Sequence, residues 1–336
     1  MVGLAAVPGS SRTLLAGLEQ GTAPRRFEFA EVHMGTVARI ALYTDNAADA
    51  ERAARAAFLR IHNLDLRLSD YRDDSEVNTI VRAGTHVAVP VSEDLFGVLE
   101  RAAAIARLAD GAFDVTTAPV VQLWRRARRT GRLPDRQRLN DALSRTGYRH
   151  LRLDAARRTV TFERDGMRLD LGGIAKGYAA DHALAVLGKA GMARALVALG
   201  GDIAVGEPPP DQPGWAVALA GRLNRPPMRV TRVGVSTSGD AEQHVEIDGV
   251  RYSHVIDPRT GIPVRRRSSV TVIAEDATAA DSIATAVSVL GPGKGLALVD
   301  ATAGASAMMT VEASGISQEY RSSRWGGKAE RRTNNE

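Results

Sequence analysis

The apolar positions of this chain switch between two periods, and the switches mark out its elements. Val37-Ala38-Arg39-Ile40-Ala41-Leu42-Tyr43 is a short apolar run broken by one arginine, and it predicts a strand. From about Ala47 the spacing changes to threes and fours. Phe58, Ile61, Leu64 and Leu68 then share one face, as in an amphipathic helix. Ser92 is placed to cap a second helix carrying Leu95, Leu99, Ala102 and Ala106, which Asp110-Gly111 ends. Arg168-Leu169-Asp170-Leu171 predicts a short extended segment running into Gly172-Gly173. A helix with Ile174, Tyr178 and Leu184 follows as far as Gly191. Strands are expected at Ala195–Leu199, Trp215–Leu219, Val230–Val235 and Ser269–Ala274, and a last long helix from near Asp276 to Leu290-Gly291. Pro208-Pro209-Pro210 and the segment 222–227 interrupt this pattern as loops, not as a domain boundary. Strands and helices alternate without a fixed repeat, which indicates one α+β domain over 27–318, between a flexible leader at 1–26 and a basic disordered tail at 319–336.

Composition narrows the function classes. The 336 residues are 44% hydrophobic and 25% charged, ordinary for a soluble globular chain. No apolar run approaches the roughly 20 residues of a membrane span. With no cysteine there is no disulfide and no thiolate metal site. Residues 1–26 lack a basic start and a long apolar centre, so they do not read as a signal peptide, and a cytoplasmic location is expected. The net charge of +5 is concentrated in arginines at 125–129, Arg132, Arg136, Arg138, 265–267 and the tail. Aromatics make up only 4% of the chain, which leaves little for stacking nucleic-acid bases, so solvated loops account for these clusters. Attraction of an anionic ligand stays open as a secondary role.

Four clusters carry candidate chemistry. In Asp170-Leu171-Gly172-Gly173-Ile174-Ala175-Lys176-Gly177, a strand end, two glycines and a helix start gather free N–H groups at the positive end of a helix. Lys176 would add a charge for a phosphate. A plain glycine turn with a surface lysine fits the same residues. Asp281 and Thr285 lie four apart on the last helix, so their oxygens share a face and suit a hard cation. A surface aspartate and a threonine bonding its own backbone would look alike. Thr237-Ser238-Gly239-Asp240 reads as a small-residue turn. Ser253-His254-Val255-Ile256-Asp257-Pro258 sets His254, a general-base or ligand-positioning candidate, on a strand ending in a turn. A packed strand histidine is the plainer reading. Asp110 to Thr116 is expected to open a short strand presenting Asp114 to a ligand hydroxyl or ring N–H, or to be an ordinary strand entry.

The order of the motifs says more than any one of them. Met34-Gly35-Thr36, Ser69 to Val77, Gly111 to Thr116 and Asp170 to Asp181 occur in turn. Leu199-Gly200-Gly201-Asp202, Ser236 to Gly239, Ser253 to Pro258 and Ala280-Asp281 follow. This series resembles the FAD:protein FMN transferase family, also called ApbE, from about Phe27 to Val311. The resemblance implies a single compact α+β domain of the tunnelling-fold (T-fold) type, with mixed or antiparallel sheets and packed helices. It implies FAD contacts at Met34, Tyr71, Ala112, Phe113, Asp114, Asp170, Lys176 and Ile256. Magnesium would be held by the Gly173 carbonyl, Asp281 and Thr285, with His254 important for transfer. The implied activity is magnesium-dependent cleavage of FAD, with FMN passed to a Ser/Thr hydroxyl of an acceptor flavoprotein and AMP released. A FAD pyrophosphatase and a non-catalytic flavin-binding protein are the alternatives. No nucleic-acid partner is expected.

Overall fold

A computed structural model of the protein describes residues 23–218, 226–239, 244–313 and 316–326. Residues 1–22 of the expected leader, Leu219, residues 222–225 of the expected loop, Asp240 and the tail from 327 lie outside the described residues. Numbering only the strands of the main sheet, these are β1 (Arg25–His33), β2 (Thr36–Thr44), β3 (Ala195–Leu199), β4 (Asp202–Val205), β5 (Val233–Gly239), β6 (Arg267–Ala274), β7 (Ser306–Ala313) and β8 (Ile316–Arg321). They lie side by side in chain order, and every neighbouring pair is antiparallel. The helices are α1 (Ala47–Leu68), α2 (Glu76–Ala83), α3 (Glu93–Leu108), α4 (Ala118–Thr130), α5 (Arg136–Ser144), α6 (Ala175–Lys189) and α7 (Ala277–Ala301). The first six form one long insertion between β2 and β3, and α7 is a second between β6 and β7.

The sheet's period of two decides where the core lies. Ala38, Ile40 and Leu42 on β2 and Ala195, Val197 and Leu199 on β3 point to one face, and all are essentially inaccessible. Ile40 pairs with Val197 across the strands, and this face packs on α1 and α6. As the spacing predicted, α1 buries Phe58, Ile61, Leu64 and Leu68, while the Asn46 side chain accepts from the Ala48 and Asp49 amides. The other face carries Ala41 and Val235 and is covered by a hairpin of Trp215–Val217 with Met228–Val230.

α7 is long and apolar enough to cross a membrane, but 61% of that window is buried inside the protein, so it is the central core helix. Its regular part breaks at Gly291, which has φ 78° and precedes Pro292, where the sequence placed the helix end; the chain then turns helical again to Ala301.

Five expectations need correction. Residues 110–116 form turns and not a strand, because the Asp114 carboxylate bonds the Thr116 amide and hydroxyl and so competes with strand pairing. The strand expected at Val230–Val235 divides at Arg232, whose φ is 50°. Thr237 to Gly239 is strand, not turn, since it pairs with residues of β6. The expected tail boundary at 319 falls inside β8, and the leader boundary at 26 falls inside β1.

Candidate active site

The site lies where β2 begins, β3 ends, β4 begins and β5 ends, at one end of the sheet. There the Met34-Gly35 turn joins β1 to β2 as a two-residue hairpin, with φ of 50° and 71°. Both values are positive, as this hairpin type requires. For Met34 that conformation is unfavourable, and the Asp65 carboxylate steadies it by accepting the Met34 amide at 3.2 Å.

From Tyr71 inward, side chains touch in an unbroken series. Tyr71 is 76% exposed, and the Arg125 guanidinium lies over its ring, 4.3 Å from the centroid. Arg125 pairs with Asp70 at 2.6 Å and with Asp170 at 3.0 Å. Asp170 also accepts the Gly172 amide at 2.8 Å, which folds the glycine turn. Burial and the nearby Asp70 raise the Asp170 carboxyl above its ordinary value, against the pull of Arg125. Phe113, buried with Ala112, packs against Gly173 from below. The Asp114 carboxylate holds three donors, from Thr116 (amide and hydroxyl) and the Tyr148 amide, and so staples its own loop.

The N-cap residue of α6, Ile174, offers no capping side chain, so the positive end of this helix is satisfied from elsewhere in the fold. Helix α6 begins at Ala175, so Gly173 lies before it and its carbonyl is outside the helical ladder; no backbone N–H among the described residues bonds it. The Gly177 N–H, a first-turn donor without an intrahelical partner, bonds Asp281 at 3.2 Å. Thr285 stands beside that glycine: a Cβ added to Gly173 would fall 2.9 Å from the Thr285 Oγ1. Ser282 and Ser288 on the same helix bond back to backbone carbonyls, whereas Thr285 makes no hydrogen bond among the described residues. The Gly173 backbone and the Thr285 hydroxyl are thus in contact, and the buried Asp281 carboxylate stands one turn earlier on the same helix, so hard oxygen donors gather in this region. No group of three or more His, Cys, Asp or Glu able to hold a metal occurs among the described residues, so a cation here would draw further ligands from water or substrate.

Lys176 reaches into the same centre. Its Nζ bonds Asp202 and lies 3.8 Å from Asp281. Asp202, 2% exposed, also accepts from the Ser236 hydroxyl at 2.6 Å. Burial opposes the lysine's charge, but Asp281 and Asp202 outweigh it and hold the ammonium above its ordinary range. Burial, with the Asp202 charge beside it, pushes the Asp281 carboxyl up to about 7 despite Lys176 and the Gly177 N–H. The centre therefore holds more negative charge than one lysine balances comfortably.

His254 is half-buried at a bend between the strands Val250–Ser253 and Ile256–Asp257. Its neighbours Ser253 and Val255 line a water-sized cavity of ≈ 10 Å³ with Ser238 and with Ser288, one helical turn beyond Thr285. Ile256 packs with Trp124 of α4, whose indole bonds the Gly261 carbonyl at 2.8 Å.

Direct contacts thus join Tyr71 to Asp170 through Arg125, Phe113 and Thr285 to Gly173, and Lys176 to Asp281, whereas Asp114 turns into its own loop and Met34, His254 and Ile256 lie in neighbouring segments. Arg125, Asp202 and Asp70 were not singled out from the sequence. Arg125 was grouped with the solvated arginines; the signal that could have separated it is its place one residue after the apolar Trp124 on the inward face of α4.

Such an arrangement defines a class: an α+β protein with a glycine turn and helix start beside a buried cluster of a lysine, carboxylates and hydroxyls. The model of the ApbE family matches residues 34–309, and the chain belongs to the ApbE family. It is 35% identical over 295 residues to the FAD:protein FMN transferase of Treponema pallidum, covering 82% of each chain. Among solved structures, the flavin transferase ApbE of Vibrio cholerae superposes with a TM-score of 0.79 at 29% identity, covering 89% of this chain and 98% of that one. The apo flavinyl transferase ApbE of Pseudomonas stutzeri gives 0.80 at 29% identity, with 90% and 96% covered.

Proposed function

We infer that the chain is a FAD:protein FMN transferase, which cleaves FAD and passes its FMN half to a Ser or Thr hydroxyl of an acceptor protein. The observation that carries this reading beyond family membership is the Gly173 carbonyl left without a backbone donor before α6, with Thr285 packed against that glycine and Asp281 beside Lys176. The flavin half of the substrate is placed toward Tyr71, Met34 and Ile256, and the pyrophosphate toward the glycine turn.

In the reaction the acceptor oxygen bonds the FMN-side phosphorus, the bond from that phosphorus to the bridging oxygen breaks, and AMP leaves with that oxygen. The acceptor's hydroxyl proton passes to a base, the role assigned to His254. The glycine turn and the N-terminus of α6 face the phosphates with N–H groups, and Lys176 shares their charge. Gly173, Asp281 and Thr285 would hold a magnesium ion, which supplies neutralisation of the pyrophosphate and of the leaving AMP. Asp202 keeps Lys176 charged and aimed at this centre.

Incubation with FAD, magnesium and an acceptor peptide bearing a Ser/Thr site tests the assignment by mass spectrometry. A covalent FMN increment is expected, and chelation should abolish it. Asp281→Ala should lower turnover at least a hundredfold with the fold intact; activity within a few-fold of wild type would sink the metal assignment. Free FMN with no increment would point to hydrolysis instead.

A further inference from the structure

Along α4 the arginines divide by environment. Arg126, Arg128 and Arg129 are exposed, while the Arg125 side chain is only 26% exposed. A single guanidinium bridges Asp70, in the loop after α1, to Asp170, in the glycine turn, and covers one face of Tyr71. Both carboxylates are largely buried, with 15% and 14% of their side chains exposed. Together they carry two negative charges toward a site that must admit an anionic pyrophosphate, and like charges at close range repel it.

We propose that Arg125 is a positioning residue for FAD: it locks the Tyr71 platform to the glycine turn and screens Asp70 and Asp170 from the incoming phosphates. Only a flat, delocalised cation does all three, since a guanidinium can stack on a ring while donating to two carboxylates, and an ammonium cannot. Arg125 touches no reacting atom. Its influence falls on FAD affinity and orientation, not on the chemical step. The inference rests on FAD being the substrate.

Flavin fluorescence titration and steady-state kinetics on the full chain with magnesium test it. In Arg125→Ala, FAD affinity is expected to fall about tenfold or more, with kcat at saturating FAD within about threefold of wild type. Arg125→Gln keeps a planar polar end but loses the charge and the reach to both carboxylates, and it fills more of the space than alanine, so it covers the case in which the alanine variant does not fold. Two further readouts separate screening from a merely structural role. Added salt should tighten FAD binding in both variants but not in wild type, and Asp70→Asn combined with Arg125→Gln should recover most of the loss. FAD affinity within about twofold of wild type, or a loss untouched by salt and by Asp70→Asn, would overturn the proposal. If wild type itself neither binds nor cleaves FAD, the substrate assignment falls and takes the proposal with it.

Discussion

At Gly177 a single missing methyl lets two helices meet. A Cβ there would lie 2.2 Å from the Ala277 carbonyl oxygen and 3.0 Å from the Asp281 Cβ. Neither neighbour is a flexible side-chain end, so Gly177→Ala must push α7 away from α6. We expect a loss of about 1–3 kcal/mol from overpacking, together with a more than tenfold drop in AMP release as Asp281 leaves its place. Thermal unfolding and an AMP assay measure the two effects; an alanine variant as stable and active as wild type would refute the packing argument. The same scale shows why sequence spacing left the metal pair open. Asp281 and Thr285 share one helix as expected, but what sets them apart is Gly173 packed against Thr285 and Lys176 beside Asp281. Nothing four residues away on α7 reports that.

Between elements, the start of α7 is fixed twice. Its own Asp276 accepts the Ala279 amide at 2.8 Å. Asp181, reaching across from α6, accepts the Ala277 and Thr278 amides at 2.9 and 2.8 Å, and the Thr278 hydroxyl as well. Burial pushes the Asp181 carboxyl up to about 6, with the Asp276 charge adding to it and the Thr278 bonds opposing. That is above the ordinary carboxylate value near 4. The folded protein therefore holds this proton more tightly than the unfolded chain. The group favours folding most below about pH 4, and that contribution is lost as the pH rises through about 6. Urea titrations at about pH 4.5 and pH 7 should show Asp181→Asn flattening this decline relative to wild type. An unchanged slope between the two pH values would count against it. The helices themselves were legible, since Ser92 caps α3 and the apolar stripe of α1 faces the core as expected. The brace between α6 and α7 was not, because Asp181 and Thr278 are 97 residues apart.

For the molecule as a whole, the C-terminal segment closes the sheet. β8 pairs with β7 from Arg321 back to Ile316, and Ser322 exchanges hydrogen bonds with Ala307. Arg324 then donates to the carbonyls of Val299, Asp300, Thr302 and Ala305, at the end of α7 and just beyond it. Ending the chain after Gln318 should thus lower the unfolding temperature by several degrees and promote association through the stripped edge of β7. Scanning calorimetry and light scattering would show it; an unaltered, monodisperse protein would mean that the segment contributes little. A polar sequence hid this strand, since most β8 residues stay exposed at the sheet edge and leave no buried alternation to detect. In β1 only Phe27 and Phe29 alternate toward the core, too short a run to mark a strand.

Local residue order alone determined what depends on near neighbours: the amphipathic face of α1, the cap of α3, the glycine turn entering α6 and the break at Gly291. The ordered motifs added the family and, with it, the flavin chemistry. Only the tertiary structure decided which charges stand together. It placed Lys176 between Asp202 and Asp281, turned Arg125 away from its solvated neighbours onto Asp70 and Asp170, and set the Gly177 N–H on Asp281. The physical reason is range. Periodicity and capping act within about four residues, whereas a carboxylate's influence depends on distance in space, and the partners here come from strands and helices up to 104 residues apart.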